Sequence, residues 1–207
     1  IASGAIPSDM VNEYIQNGAN APILPCGSST CSMIEYMNPG STKPVGDGVD
    51  VGGEVPNPIS RMANVETMEA TFPIRYLFRR RLKDSGGAGA KRGGTGAEFA
   101  ITPHDAPDGG INYVISGKGT EYPMSEGLAG GYPGSPSNYK WVKTNEAIKA
   151  EEKTFLFPNS IEEIQGEQKD ISWGVFPLAG LDSLYVRWNG GGGYGDPLSR
   201  NCDSVAK

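Results

Sequence analysis

From residue 65 onward the chain is a series of short apolar runs separated by turn residues. The runs "TFPIRYLFRRRL" (71–82), "AEFAITPH" (97–104), "GINYVISGKG" (110–119), "NYKWVKTN" (138–145) and "KTFLFPN" (153–159) are rich in β-branched and aromatic residues. Each reads as a strand. "ISWGVFPLAGLDSLYVRWN" (171–189) supplies the last strands. Between the second and third runs, "DAPDGG" has hairpin-turn chemistry, because Asp and Gly supply the backbone conformations that a tight turn requires. "SIEEIQ" predicts one helical turn capped by Asn159 or Ser160 and stopped by Gly166. Strands recurring about every ten residues predict a mainly β fold, an antiparallel sandwich or barrel-like domain.

The first 60 residues follow another pattern. Ser8 and Asp9 can cap a short N-terminal helix whose apolar face is Met10, Val11, Tyr14 and Ile15, with Gly18 as its stop. Residues 19–58 then lose periodicity, and "NPGSTKPVGDGVDVGGEVPNP" predicts a long irregular arm or a flexible loop. The expected organisation is a helix and extended arm over 1–60, then a β domain over 61–207.

Composition narrows the function classes. Thirty Gly and 16 Pro among 207 residues are nearly double the usual share of roughly 12%, which disfavours long helices. The net charge of −6 excludes nucleic acid and anionic membrane as natural partners. The basic run at Arg79, Arg80 and Arg81 lies on a predicted strand, so part of it must meet acidic partners or a buried anion if the strand is covered. No apolar run is long enough to span a bilayer, and the first residues lack a signal-peptide pattern. Ile1 in place of Met implies a processed or longer polypeptide. Three cysteines, Cys26, Cys31 and Cys202, suit a reducing, cytoplasmic setting.

Candidate chemistry is sparse. His104, with Asp105 and Asp108, could ligate a metal, yet the same residues are what a turn requires. Cys26, Cys31, Cys202 and His104 equal a zinc site in number but are too scattered along the chain. No nucleophile elbow accompanies His104. Gly190, Gly192 and Gly195 satisfy G-x-G-x-x-G after a strand-like run. The rest of a dinucleotide site is missing, because Asp196-Pro197 follows at once and no room remains for a second strand. In "KDSGGAGAKRGGTG" (83–96), glycines surround Lys91 and Arg92 without a Walker A ending. Two readings stay open for it: an anion nest of backbone N–H groups, or a tight connection in which backbone packs on backbone. Gly86, Gly87, Gly89, Gly93 and Gly94 are expected to be structural, with several of them at positive φ.

Three blocks, in order, resemble the hydantoinase B (HyuB) family. They are "DSGGAGAKRGGTG" (84–96), "GLAGGYPGSPSNY" (127–139) and "NGGGGYGDPLSR" (189–200). Their lead-in matches through Glu66, Glu69, Phe72, Pro73 and Arg75. The resemblance covers about residues 60–200, with an apparent insertion near 144–170, and leans toward the acetone and acetophenone carboxylases. It marks Asp84, Ser85, Gly86, Gly87, Gly89, Arg92, Gly93, Gly94, Gly130, Gly131, Gly191, Gly192, Gly193, Tyr194, Gly195 and Asp196 as structural motif positions.

The resemblance further implies a multisubunit, ATP-dependent ketone carboxylase, or a hydantoinase or 5-oxoprolinase that opens a cyclic amide. ATP would be used by a HyuA-type partner to phosphorylate an enolate or amide oxygen, with bicarbonate and a small molecule as substrates. A full HyuB subunit is far longer, so this chain matches its C-terminal part. The divalent metal and its ligands are expected elsewhere, and this chain should bind neither zinc nor ATP. No catalytic residue is assigned. A noncatalytic scaffold subunit and an unrelated β ligand-binding module are the rival readings.

Overall fold

The computed structural model describes residues 23–26, 47–48, 50–51, 53–54, 57–58, 64–106, 111–115, 120–123, 125–144, 158–172 and 174–201. The predicted N-terminal helix and the run 153–157 lie outside them.

The two most apolar runs form the centre. β10 (Ser183–Arg187) is flanked by β5 (Ala97–Pro103) on one side and β7 (Asn138–Lys143) on the other, both antiparallel. β4 (Ile74–Arg81) extends the sheet beyond β5, and β8 (Glu167–Ile171) extends it beyond β7. The order is therefore β4-β5-β10-β7-β8. A second, three-stranded sheet has the order β1-β6-β9, from β1 (Ile23–Cys26), β6 (Ile111–Ile115) and β9 (Gly174–Leu178). A small ribbon pairs β2 (Gly53–Glu54) with β3 (Asn57–Pro58). All pairings between these strands are antiparallel.

One apolar core joins the two larger sheets. Tyr76, Phe99, Leu184, Val186 and Trp188 from the first meet Ile111, Tyr113, Ile115 and Leu178 from the second. The Phe99 ring lies 5.9 Å from Tyr76 and 5.2 Å from Trp188, in tilted contacts of the kind aromatic pairs favour. The other face of the five-stranded sheet carries a smaller cluster, Ala100, Val142, Ile164 and Tyr185. A 3-10 turn, Ile161–Glu163, supports it. This is the mainly β, layered arrangement expected, without a closed barrel among the described residues.

Four details depart from expectation or add to it. "DAPDGG" does not join a hairpin: β5 and β6 belong to different sheets, because both edges of β5 are taken by β4 and β10. The helix α1 (Val65–Thr71) was not foreseen; Asn64 caps it by accepting from the Glu66 N–H at 2.8 Å. The "SIEEIQ" turn forms after Ser160, whose side chain makes no cap; instead Glu163 Oε2 accepts from the Asn159 N–H. Parts of the irregular 19–58 stretch are ordered on this chain: β1 pairs with β6, and residues 47–51 dock near Arg92 and Thr95. No helix among the described residues is long and apolar enough to cross a membrane.

Candidate functional site

The three glycine blocks, distant in sequence, come together at one end of the five-stranded sheet. They leave β4, β5, β7 and β10 as extended backbone and interleave. The N–H of Gly190 donates to Ser135 O, that of Gly191 to Gly94 O, that of Gly192 to Ser125 Oγ, and that of Gly193 to Tyr132 O. Consecutive residues thus bond to different segments. A β-strand would alternate between two neighbours at most. The geometry is a bundle of extended chains bonded radially, with no side chains to separate them. Gly87 N–H to Gly191 O at 2.7 Å, Tyr132 N–H to Ala88 O at 2.7 Å and Leu128 N–H to Gly193 O at 2.9 Å close the third side.

Close approach is what demands glycine here. A methyl group on Gly190 would collide with the Ser85 carbonyl, and one on Gly93 with the Gly191 carbonyl. Positive φ is not the reason at Gly86, Gly87, Gly89, Gly93 or Gly94, none of which is left-handed. Left-handed backbone occurs instead at Gly130 and Gly195, where the chain turns at the rim of the layer. Asp84 is also left-handed, with φ 53°. Ser85 stitches the layer from inside: its hydroxyl donates to Leu82 O and accepts from the Gly96 N–H. Asp196 caps the final 3-10 turn by accepting from the Leu198 N–H. Tyr194 bridges to Lys91 and to Leu128. The motif residues Asp84 to Gly94, Gly130, Gly131 and Gly191 to Asp196 are therefore gathered into one layer. Asn189, fully buried beside them, has no hydrogen-bond partner among the described residues for either side-chain polar atom.

Several donors of the possible anion nest are taken by this chain. The N–H groups of Gly87, Ala90, Lys91 and Gly93 go to backbone carbonyls. The Arg92 N–H goes to Asp47 Oδ1 and the Thr95 N–H to Asp50 Oδ1, each at 2.8 Å. Arg200 grips Asp47 with two N–H bonds of 2.8 and 2.7 Å. Arg92 and Arg81 reach Asp50 at 3.1 and 2.7 Å. The Arg200 guanidinium holds the Asp47 carboxyl below its ordinary value. Burial opposes ionisation of Asp50, but the Thr95 N–H and Arg92 outweigh it and hold that carboxyl low as well. Sequence reasoning missed both carboxylates, because they lie in a segment without periodicity.

Arg80 and Arg79 of the basic run also find partners within this chain. Arg80 Nε donates to Glu98 Oε1 at 2.6 Å, and the Tyr185 hydroxyl donates to Glu98 Oε2 at 2.6 Å. Burial and the Glu98 carboxylate push the Tyr185 hydroxyl above its ordinary range. Burial also pushes the Tyr139 hydroxyl up to about 12. The Arg79 guanidinium lies over the Tyr76 ring.

His104 is exposed, and its Nε2 is paired with the Arg75 guanidinium at 2.9 Å. Asp105 lies 3.6 Å away at a left-handed turn position. Among the described residues no three His, Cys, Asp or Glu side chains converge to hold a metal ion. Asp108, Cys31 and Cys202 lie outside the described residues.

Residues 5–197 match the family model described as hydantoinase B/oxoprolinase. The chain belongs to the hydantoinase B/oxoprolinase family. The match begins well before residue 60, so the first segment shares in it. The chain is 29% identical over 212 aligned positions to the acetophenone carboxylase delta subunit of Aromatoleum aromaticum, covering 91% of this chain and 30% of that protein. It is 31% identical over 181 positions to the acetone carboxylase alpha subunit of Xanthobacter autotrophicus, covering 78% of this chain and 22% of that one. In fold it is similar to a nucleotide-free acetone carboxylase structure, with a TM-score of 0.71 at 24% identity over 93% of this chain and 28% of the other. It is also similar to the ATP-dependent caprolactamase of Pseudomonas jessenii, with a TM-score of 0.59 at 18% identity over 96% of this chain and 33% of the other. The chain thus spans less than a third of the length of the two relatives matched by sequence.

Proposed function

We propose that this chain is part of a HyuB-type subunit in a multisubunit, ATP-dependent ketone carboxylase of the acetophenone or acetone type. The observation that carries the reading is the likeness to an acetophenone carboxylase subunit over 91% of the chain. A carboxylase alpha subunit as a second relative supports it. In this reading the glycine layer is structural: a rigid, glycine-rich plate that joins the β domain to the remainder of the subunit. The motif residues from Asp84 to Asp196 hold that plate together and do no bond-making.

The reaction is carboxylation of an activated enol by bicarbonate. ATP is consumed by a HyuA-type partner, and a divalent metal sits elsewhere in the complex. A cytoplasmic location follows from those substrates. The isolated chain is expected to be inactive, since it spans less than a third of the relatives it matches. The second reading is ATP-dependent opening of a cyclic amide, favoured by the oxoprolinase branch of the matched family.

The test uses the native complex that contains this chain. It is assayed with labelled bicarbonate, ATP and acetone or acetophenone, and in parallel with ATP and 5-oxoproline or a hydantoin. Label fixed into a β-keto acid supports the carboxylase. ATP-dependent ring opening without bicarbonate overturns it in favour of the hydrolase.

A further inference from the structure

The segment around Asp47 and Asp50 is held by charge and backbone bonds, and Val51 adds apolar contact with the main core. Its Asp47 and Asp50 carboxylates face three guanidiniums, Arg81, Arg92 and Arg200, and two backbone donors, the N–H groups of Arg92 and Thr95. Its own Gly48 and Val51 N–H groups donate to Arg92 O at 2.7 Å and Thr95 O at 2.8 Å. A turn thus docks on the edge of the glycine layer, read out by acidic side chains three residues apart. Val51 stands in the left-handed region at φ 49°, where a β-branched side chain is strained. Such strain persists only where surrounding contacts impose it.

We propose that Arg81, Arg92, Arg200 and the 92–95 backbone form a recognition site for an Asp-x-x-Asp segment, and that residues 47–51 are its resident occupant, a strained latch that opens independently of the sheet. The ligand class is an acidic peptide that adopts the turn seen at Asp50 and Val51. No other charged side chain is seen to face either carboxylate among the described residues. Both carboxyls sit below their ordinary value, so the latch holds at neutral pH. It weakens only as pH falls below the usual carboxylate range and through those lowered values. Salt weakens it as well, since Arg81 is largely exposed.

Hydrogen exchange on the native complex tests the latch. In the Asp47→Asn/Asp50→Asn variant, the Gly48 and Val51 amides should exchange at least tenfold faster at neutral pH, while amides of β5 and β10 keep their wild-type rates. Unchanged exchange at Gly48 and Val51, or equal acceleration across β5 and β10, overturns an independent latch. The recognition site is tested in trans with a labelled peptide of residues 43–51. The double variant should bind it, and wild type should bind it at least tenfold more weakly, because the cis segment competes. A peptide with both aspartates changed to asparagine should not bind. Equal binding of the two peptides, or no binding to the variant, overturns the acidic recognition.

Discussion

Gly190 and Gly130 separate two reasons for glycine. At Gly190 a Cβ would strike the Ser85 carbonyl, a backbone atom that cannot swing aside. At Gly130 the nearest atom to a Cβ is 3.6 Å away, and only the positive φ resists substitution. Gly190→Ala should therefore cost several times the roughly 1–2 kcal/mol expected of left-handed strain alone at Gly130→Ala. Thermal unfolding of the two variants in the native complex checks the order; equal losses would contradict the close-packed layer. Glu98 presents a different case. Removing its carboxylate in Glu98→Ala strands the buried Tyr185 hydroxyl and the Arg80 bond, for an expected loss of about 1–3 kcal/mol. Tyr185→Phe, which leaves the Arg80 pair intact, should lose less. Denaturant midpoints of the two variants decide it.

At the scale of elements, β8 is the weakest part of the main sheet. Four of its five residues are exposed, and only Ile171 is buried. Ile171→Ala should loosen β8 while β5 and β10 hold, giving faster amide exchange confined to 167–171. Loss of protection throughout the sheet would contradict this. β4, β5, β7 and β10 were legible in sequence because burial on one or both faces imposes apolar residues. β8 was not, because an exposed edge strand paired along one side can be almost wholly polar. α1 was missed for a similar reason: only Met68 of its seven residues is buried. "DAPDGG" has hairpin chemistry, but a turn motif cannot tell whether the strand before it still has a free edge. The glycine layer was legible through resemblance to a family, and in the residues themselves only as an open choice between an anion nest and a tight backbone connection. Backbone packed on backbone leaves no periodicity, and the segments that meet are spread from residue 85 to residue 196. Nothing in the local sequence marked Asp47 and Asp50 as the partners of Arg92 and Arg200.

As a whole the chain has a core, two main sheets and a glycine plate, with Arg80, Arg81, Arg92, Lys140 and Arg200 paired to its own carboxylates. It also leaves large apolar side chains in water: Tyr132 is 62% exposed, Val175 63% and Leu198 93%. Its relatives are more than three times as long as the part it matches. Both facts suit a chain that works inside a larger assembly. The most direct measurement isolates the native complex, determines its mass by light scattering, and compares its ATP-dependent fixation of bicarbonate into a ketone with that of this chain alone. The account predicts an assembly far heavier than the 21.9 kDa chain, with all of the activity in the assembly. A soluble monomer of this chain that carboxylates a ketone, or opens a hydantoin, by itself would contradict it.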